Sequence, residues 1–295
     1  MPVISLNLSP NLRGIVCMVL ACLSFVCCDS FLKLILRDIP PLQTLTLRGI
    51  FATLSCLVLL AALGFLRQIP KAFGFWTVVR ALFEVASVSA FIFALAKVPI
   101  ASVTAIYQIA PLVVLGGASV IWHEKVGALR WLLIGIGFAG ALVVAQPGAA
   151  GASPYALLAL ITALASAGRD LLSRHVPDDV PGPVITLSVV VIVMLSAMVN
   201  SYLFETWVAV PAPVWFYAVG AGCFVMVAHL FMFLAFRYAS ARAVAPFYYG
   251  LTVFAAVFGA VLFDEWPNAV ALIGIAMIVG CGLGVLLLEK KEPVS

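Results

Sequence analysis

The chain has 295 residues, 65% hydrophobic and only 9% charged, with a mean hydropathy of +1.22. Soluble domains carry roughly 25% charged residues, so a soluble enzyme or regulator is excluded and the composition is that of a polytopic membrane protein. The net charge is +4 and no basic run exceeds Lys290-Lys291, which leaves nothing for a nucleic acid to grip.

A helix that crosses a bilayer needs about 20 mostly apolar residues, and ten stretches qualify. The first, 13–36, follows only Arg13 and has no small-residue cleavage site after it, so it reads as a retained span. Near its far end Asp29 and Lys33 stand four apart on one face. The plain reading is a self-satisfied pair; the sharper one is a gate. Span two, 41–66, carries Arg48, suited to holding a substrate carboxylate or to tying two helices together. Span three, 74–96, has Glu84 near its middle with Arg80 one turn before it. These read either as an i,i+4 ion pair or as a contact for a substrate amine or a proton. Span four, 99–121, places Tyr107-Gln108 at the midplane, with Pro111 freeing a backbone carbonyl beside them. Span five, 129–146, holds Gly135, Gly137 and Gly140.

The second half runs in the same order. Span six, 154–173, ends near Asp170 and Arg174, and span seven covers 183–203. Span eight, 212–236, carries His229, a core histidine or a group that changes charge near neutral pH. Span nine, 241–262, brings Pro246 and Tyr248-Tyr249. Aromatic rings at that depth either pack the core or stack on a substrate while their hydroxyls fix its polar end. Span ten, 268–288, is again rich in glycine, with Gly274, Gly280, Gly282 and Gly284. Small residues let helices approach closely in lipid, so spans five and ten read as scaffold or as a homodimer surface. Loops are short and marked by proline, and none has room for a soluble domain.

The two halves match at an offset of 141 residues. Asp29 and Lys33 return as Asp170 and Arg174, Phe83 as Phe224, Tyr107 as Tyr248, and Glu124 as Glu265. An odd number of spans per half inverts the second copy in the bilayer, the architecture of secondary transporters. The fold expected is all-α, with ten transmembrane helices in two inverted five-helix repeats, 1–148 and 149–295. Inversion puts the Asp29/Lys33 and Asp170/Arg174 pairs at opposite mouths, as alternating gates, with Glu124 and Glu265 as end-caps. Lys and Arg gather in the loops that face the cytoplasm if the N-terminus is inside, so both termini are expected there. The six tryptophans fall near helix ends, as an interfacial belt requires.

Span two opens with Pro41-Leu-Gln-Thr-Leu-Thr-Leu-Arg48. Spans three and four run through Ala94-Leu-Ala-Lys-Val-Pro-Ile-Ala-Ser to Pro111, then Glu124, Gly135 and Gly140. The second half answers with Ala235-Phe-Arg-Tyr-Ala-Ser-Ala-Arg-Ala, Glu265, Gly274 and Gly280. In order and spacing this resembles the EamA-type permeases of the drug/metabolite transporter superfamily, over nearly the whole chain. The resemblance implies a small-metabolite carrier of a bacterial inner membrane, similar to exporters of aromatic and small neutral amino acids. Arg48, Pro111, Glu124 and Glu265 match family positions. Thr252 stands where a proline is expected, and Pro246 lies six residues earlier, which displaces the kink of span nine.

The expected substrate site therefore draws on Tyr107, Gln108, Tyr248 and Tyr249, with Glu84, His229 and Arg48 as charged contacts, on spans four and nine with three and eight. Alternatives are a carrier for a nucleoside-like or carboxylate metabolite and a non-transporting membrane scaffold. Enzyme motifs are absent, and His123, His175 and His229 lie on different segments. The seven cysteines fall in apolar stretches without metal spacing or a disulfide pattern. No cofactor or metal is expected.

Overall fold

Proline and glycine set the ends of the long helices. In the computed structural model, prolines occupy the first turns of α2 (Pro41–Leu63), α8 (Gly182–Phe204) and α9 (Ala212–Tyr238), where the missing N–H would have no partner in any case. α2 stops at Gly64, whose left-handed φ of 77° lets its N–H and that of Phe65 return to Ala61 and Leu60. The structure describes residues 10–121, 123, 127–145, 153–177, 179–239, 244 and 247–291. All the regular elements among them are helical. The remaining α-helices are α1 (Pro10–Ile35), α3 (Phe75–Leu95), α4 (Ile100–Tyr107), α5 (Ala110–Ile121), α6 (Ala128–Ala145), α7 (Ala156–Leu172), α10 (Gly250–Phe263) and α11 (Ala269–Lys291). A 3₁₀ helix, Leu66–Phe73, links α2 to α3, and a short one, Ser173–His175, follows α7.

Seven segments are long and apolar enough to cross a membrane. Three shorter apolar helices, Ala128–Val144, Gly250–Phe263 and Ala269–Val285, fall where three further spans are expected. Span four is interrupted. α4 ends at Tyr107, a turn covers Gln108 and Ile109, and α5 begins at Ala110. Pro111 has no N–H for the Tyr107 carbonyl, and the N–H of Ile109 tightens back to Ile106 instead. The corresponding proline of span nine, Pro246, lies outside the described residues, as does Glu124.

The helices pack in definite partnerships. α1 lies along α9 and touches α10. α3 lies along α7, α4 also contacts α7, and α2 packs on α8. α6 packs on α11, and α4 on α10. One large apolar core joins α1, α2, α8 and α9, and a second joins α4, α6, α7 and α11. Between α6 and α11 the backbones nearly touch: a Cβ on Gly274 would stand 2.7 Å from the Gly140 carbonyl. That approach replaces the hydrophobic driving force that lipid removes.

Candidate functional site

Beside Asp29 and Arg48, which face each other between α1 and α2, two groups of ionisable residues stand out inside the helices. One lies toward the end of the bundle where α3 and α8 begin and α7 and α9 finish. Here Glu84 of α3 accepts a 2.6 Å bond from Arg169 Nη1 of α7, both side chains being largely buried. Arg169 Nε donates to Asp170 at 2.8 Å. The expected Arg80–Glu84 pair is not made. Glu84 takes the guanidinium across the helix interface, and Arg80 Nε donates instead to Ser173 Oγ at 2.8 Å. Ser173 in turn donates to the Arg169 carbonyl. The pairing of Asp170 with Arg174 gives way likewise, since Asp170 binds its own neighbour Arg169.

Arg80, Glu84, Arg169 and Ser173 line a cavity of about 260 Å³, bounded on the far side by Thr186 and Val189 of α8 and by His229 of α9. His229 Nδ1 lies 2.7 Å from the Val225 carbonyl. A carbonyl only accepts, so Nδ1 donates and the Nε2 side of the ring is the one left to meet a solute. Phe25 meets the imidazole edge-on at 5.3 Å. His229 and Thr186 also belong to the wall of a second, larger cavity of about 570 Å³. That one is apolar, with Leu59, Met226, Phe233 and Phe236, and it reaches Arg237 in the last turn of α9. The arrangement offers both charge signs, an imidazole and an adjoining apolar chamber, which together can hold a small zwitterionic or amphipathic solute.

The second gathering is at the opposite end, where α1 and α10 finish and α4 begins. Lys33 does not pair with Asp29. Its ammonium lies 2.7 Å from Glu265 Oε1, and it also donates to the Val98 carbonyl at 2.9 Å. Glu265 Oε2 accepts from the N–H of Ile100, at the first turn of α4. The lysine stem reaches across the interface, and Glu265 outcompetes Asp29 because it also satisfies a helix N-terminus. At the same end of the bundle, Glu205 accepts from the backbone N–H groups of Leu42 and Gln43, which open α2. The Gln43 amide exchanges hydrogen bonds with the backbone of Val208. No cavity described above reaches this end.

Of the expected binding residues, the structure brings together Glu84 and His229, adding α7 and α8 to the wall in place of spans four and nine. Tyr107 turns its hydroxyl to Ser166 at 3.3 Å. Gln108 donates to the Tyr248 carbonyl at 3.0 Å. Tyr249 is buried with its hydroxyl against Gly282 of α11, so it packs the helix pair rather than a cavity. Arg48 sits beside Cys28 and is the charge acting on Asp29, yet its buried Nε has no hydrogen-bond partner among the described residues. Arg169 is the residue sequence reasoning missed. Its repeat mate is Cys28, so the offset drew attention to Asp170 instead. The signal that identifies it is the demand of Glu84 for an opposite charge. No group of three or more metal-ligating side chains occurs among the described residues, and the cysteines among them are unpaired.

Comparison with known proteins bears on the chain as a whole. The model of the EamA-like transporter family matches the chain twice, at residues 12–146 and 153–288. A riboflavin transporter of Rhizobium johnstonii is 28% identical over 82% of this chain and 80% of its own length. An S-adenosylmethionine uptake transporter of Rickettsia prowazekii is 25% identical over 74% of each. A pseudopaline exporter of Pseudomonas aeruginosa is 25% identical over 91% of this chain and 94% of its own. A crystal structure at 18% identity superposes with a TM-score of 0.65 over 96% of this chain and 98% of that one, a likeness of fold alone.

Proposed function

The chain belongs to the EamA-like transporter family, and on that premise we propose that it is an alternating-access carrier of amino acids or closely related zwitterionic metabolites. The observation that carries this reading is the Glu84–Arg169 pair facing His229 across a cavity set among the membrane helices toward one end of the bundle. A bilayer-spanning protein tolerates such charges only where they meet a partner or a polar cargo. The ammonium of an amino acid would compete for Glu84 and its carboxylate for Arg80 and Arg169. The apolar chamber beyond Thr186 would take an aromatic or aliphatic side chain.

The carrier would have ten spans in two inverted halves, residues 1–148 and 149–295. The helix partnerships support this. Exchanging the halves turns the α1–α9 contact into α3–α7 and the α1–α10 contact into α5–α7, both of which occur. The α2–α8 and α6–α11 contacts map onto themselves. By the distribution of Lys and Arg we place the termini in the cytoplasm of an inner membrane, so the cavity opens inward; export, the direction we assign, then loads its cargo from the resting state. A homodimer through α6 and α11 would use the faces of Gly135 and Gly280, which meet no neighbour within 4 Å.

Counterflow in proteoliposomes tests the proposal, with labelled aromatic, small neutral and charged amino acids. Saturable exchange that Glu84→Gln abolishes is the expected result. No exchange of any amino acid would overturn the substrate class. A second reading, uptake of a nucleoside-like or flavin-like solute, is favoured by the relatives named for riboflavin and S-adenosylmethionine. Riboflavin in the same panel decides between them.

A further inference from the structure

Three buried side-chain atoms on α4, α10 and the turn between α4 and α5 have no hydrogen-bond partner among the described residues: Thr104 Oγ1, Gln108 Oε1 and Thr252 Oγ1. Their residues are at most 1% exposed. Buried hydroxyls elsewhere in the chain return to the preceding helical turn, as Ser30 does to Val26, Thr46 to Leu42 and Thr162 to Leu158. Thr252 does not reach the Tyr248 carbonyl, which Gln108 Nε2 occupies. Because that carbonyl can only accept, the orientation of the Gln108 amide is fixed and its oxygen is a free acceptor. The helices run antiparallel. Gln108 crosses at Tyr248, and the Ile100 side chain crosses at Gly259. Thr104 and Thr252 fall between these two crossings. Beyond them, Glu265 ties the start of α4 to Lys33 of α1.

An unsatisfied polar atom is costly to leave buried, and native proteins rarely keep several in one place without a use. We infer that the seam between α4 and α10 is the shut half of the transport path, latched by Lys33–Glu265, and that Thr104, Gln108 and Thr252 receive the polar end of the substrate when it opens. This rests on the carrier reading above. The chemistry is specific: Gln108 Oε1 requires an N–H or O–H donor, and the two hydroxyls can donate or accept. The cargo therefore crosses by its hydrogen-bond donors, and a solute with none is refused.

The test is thiol labelling of Thr252→Cys in sealed proteoliposomes, with a charged, membrane-impermeant methanethiosulfonate and the site read by peptide mass spectrometry. The unmodified chain is the control, and Thr104→Cys on the facing wall is a second reporter should Thr252→Cys fold poorly. Slow labelling that rises about tenfold when Glu265→Gln is added is the expected result. Labelling at both positions that is absent, or that Glu265→Gln leaves unchanged, overturns the inference. Thr104→Val and Thr252→Val give an independent readout. Each removes an orphaned hydroxyl, so a merely structural role predicts equal or higher thermal stability with unchanged exchange. The transport role predicts that stability with exchange slowed about tenfold. If the parent protein exchanges nothing the carrier reading falls, whereas the labelling still decides whether the seam opens.

Discussion

A carboxylate deep among membrane helices needs a partner, and Glu84 has Arg169 at 2.6 Å. Arg169→Leu strands that carboxylate, and unfolding in detergent should show a loss of about 3–5 kcal/mol. Adding Glu84→Gln should recover a large part of it, because the stranded charge is then gone. Exchange should stay absent in both, which separates stability from transport. At the surface the balance is different. Lys71 beside Asp179 holds that exposed carboxyl below the usual carboxylate range. A group more acidic in the folded chain supports the fold above the ordinary carboxylate pKa of about 4. The support disappears as pH falls through the lowered value. Solvent screens such a pair, so Asp179→Asn should move the melting temperature at pH 7 by no more than about 2 °C. It should also flatten the melting curve's pH dependence on the acid side. Residue identities were legible in the sequence while their partners were not. Asp29, Lys33, Arg80 and Glu84 all pointed to i,i+4 pairs, because spacing on one helix is visible in the chain and contact between helices is not. Glu84 chose α7 and Lys33 chose the end of α10 for reasons that exist only once the helices pack.

Helix existence was legible because about 20 apolar residues bounded by proline leave the backbone no other arrangement in lipid. The interruption of span four was harder to place. Pro111 announced a freed carbonyl, but the split at Gln108–Ile109 also depends on where the preceding turn tightens. Glycine in spans five and ten was readable as close packing, though not which glycine met which. Gly137 accommodates Leu112 and Gly140 faces Gly274, while Gly135 and Gly280 face outward. Gly274→Val should therefore push α11 off α6 and cost about 1–3 kcal/mol in detergent unfolding. Gly280→Val should be silent in the same assay, because a side chain there meets no neighbour. If the two variants melt alike, the α6–α11 contact is not what the glycines serve.

The molecule as a whole is fastened unequally. The Lys33 end is tied by Glu265 to the start of α4 and by Glu205 to the start of α2. The opposite end contains both cavities. Under the carrier reading, the empty protein rests with its site turned toward the cavity end. A substrate on the other face must wait for a minority population, which raises its half-saturation concentration by the inverse of that fraction. Vesicles of uniform orientation, assayed from each side, should show this difference, and Glu265→Gln should narrow it. Detailed balance then adds a constraint. For an uncoupled carrier, the maximal rate divided by the half-saturation concentration is the same in both directions. The face with the stronger apparent grip must also be the face with the slower turnover. The latch on Lys33 thus makes a rectifier of affinity without making a pump, and any departure from that equality would measure an ion travelling with the cargo.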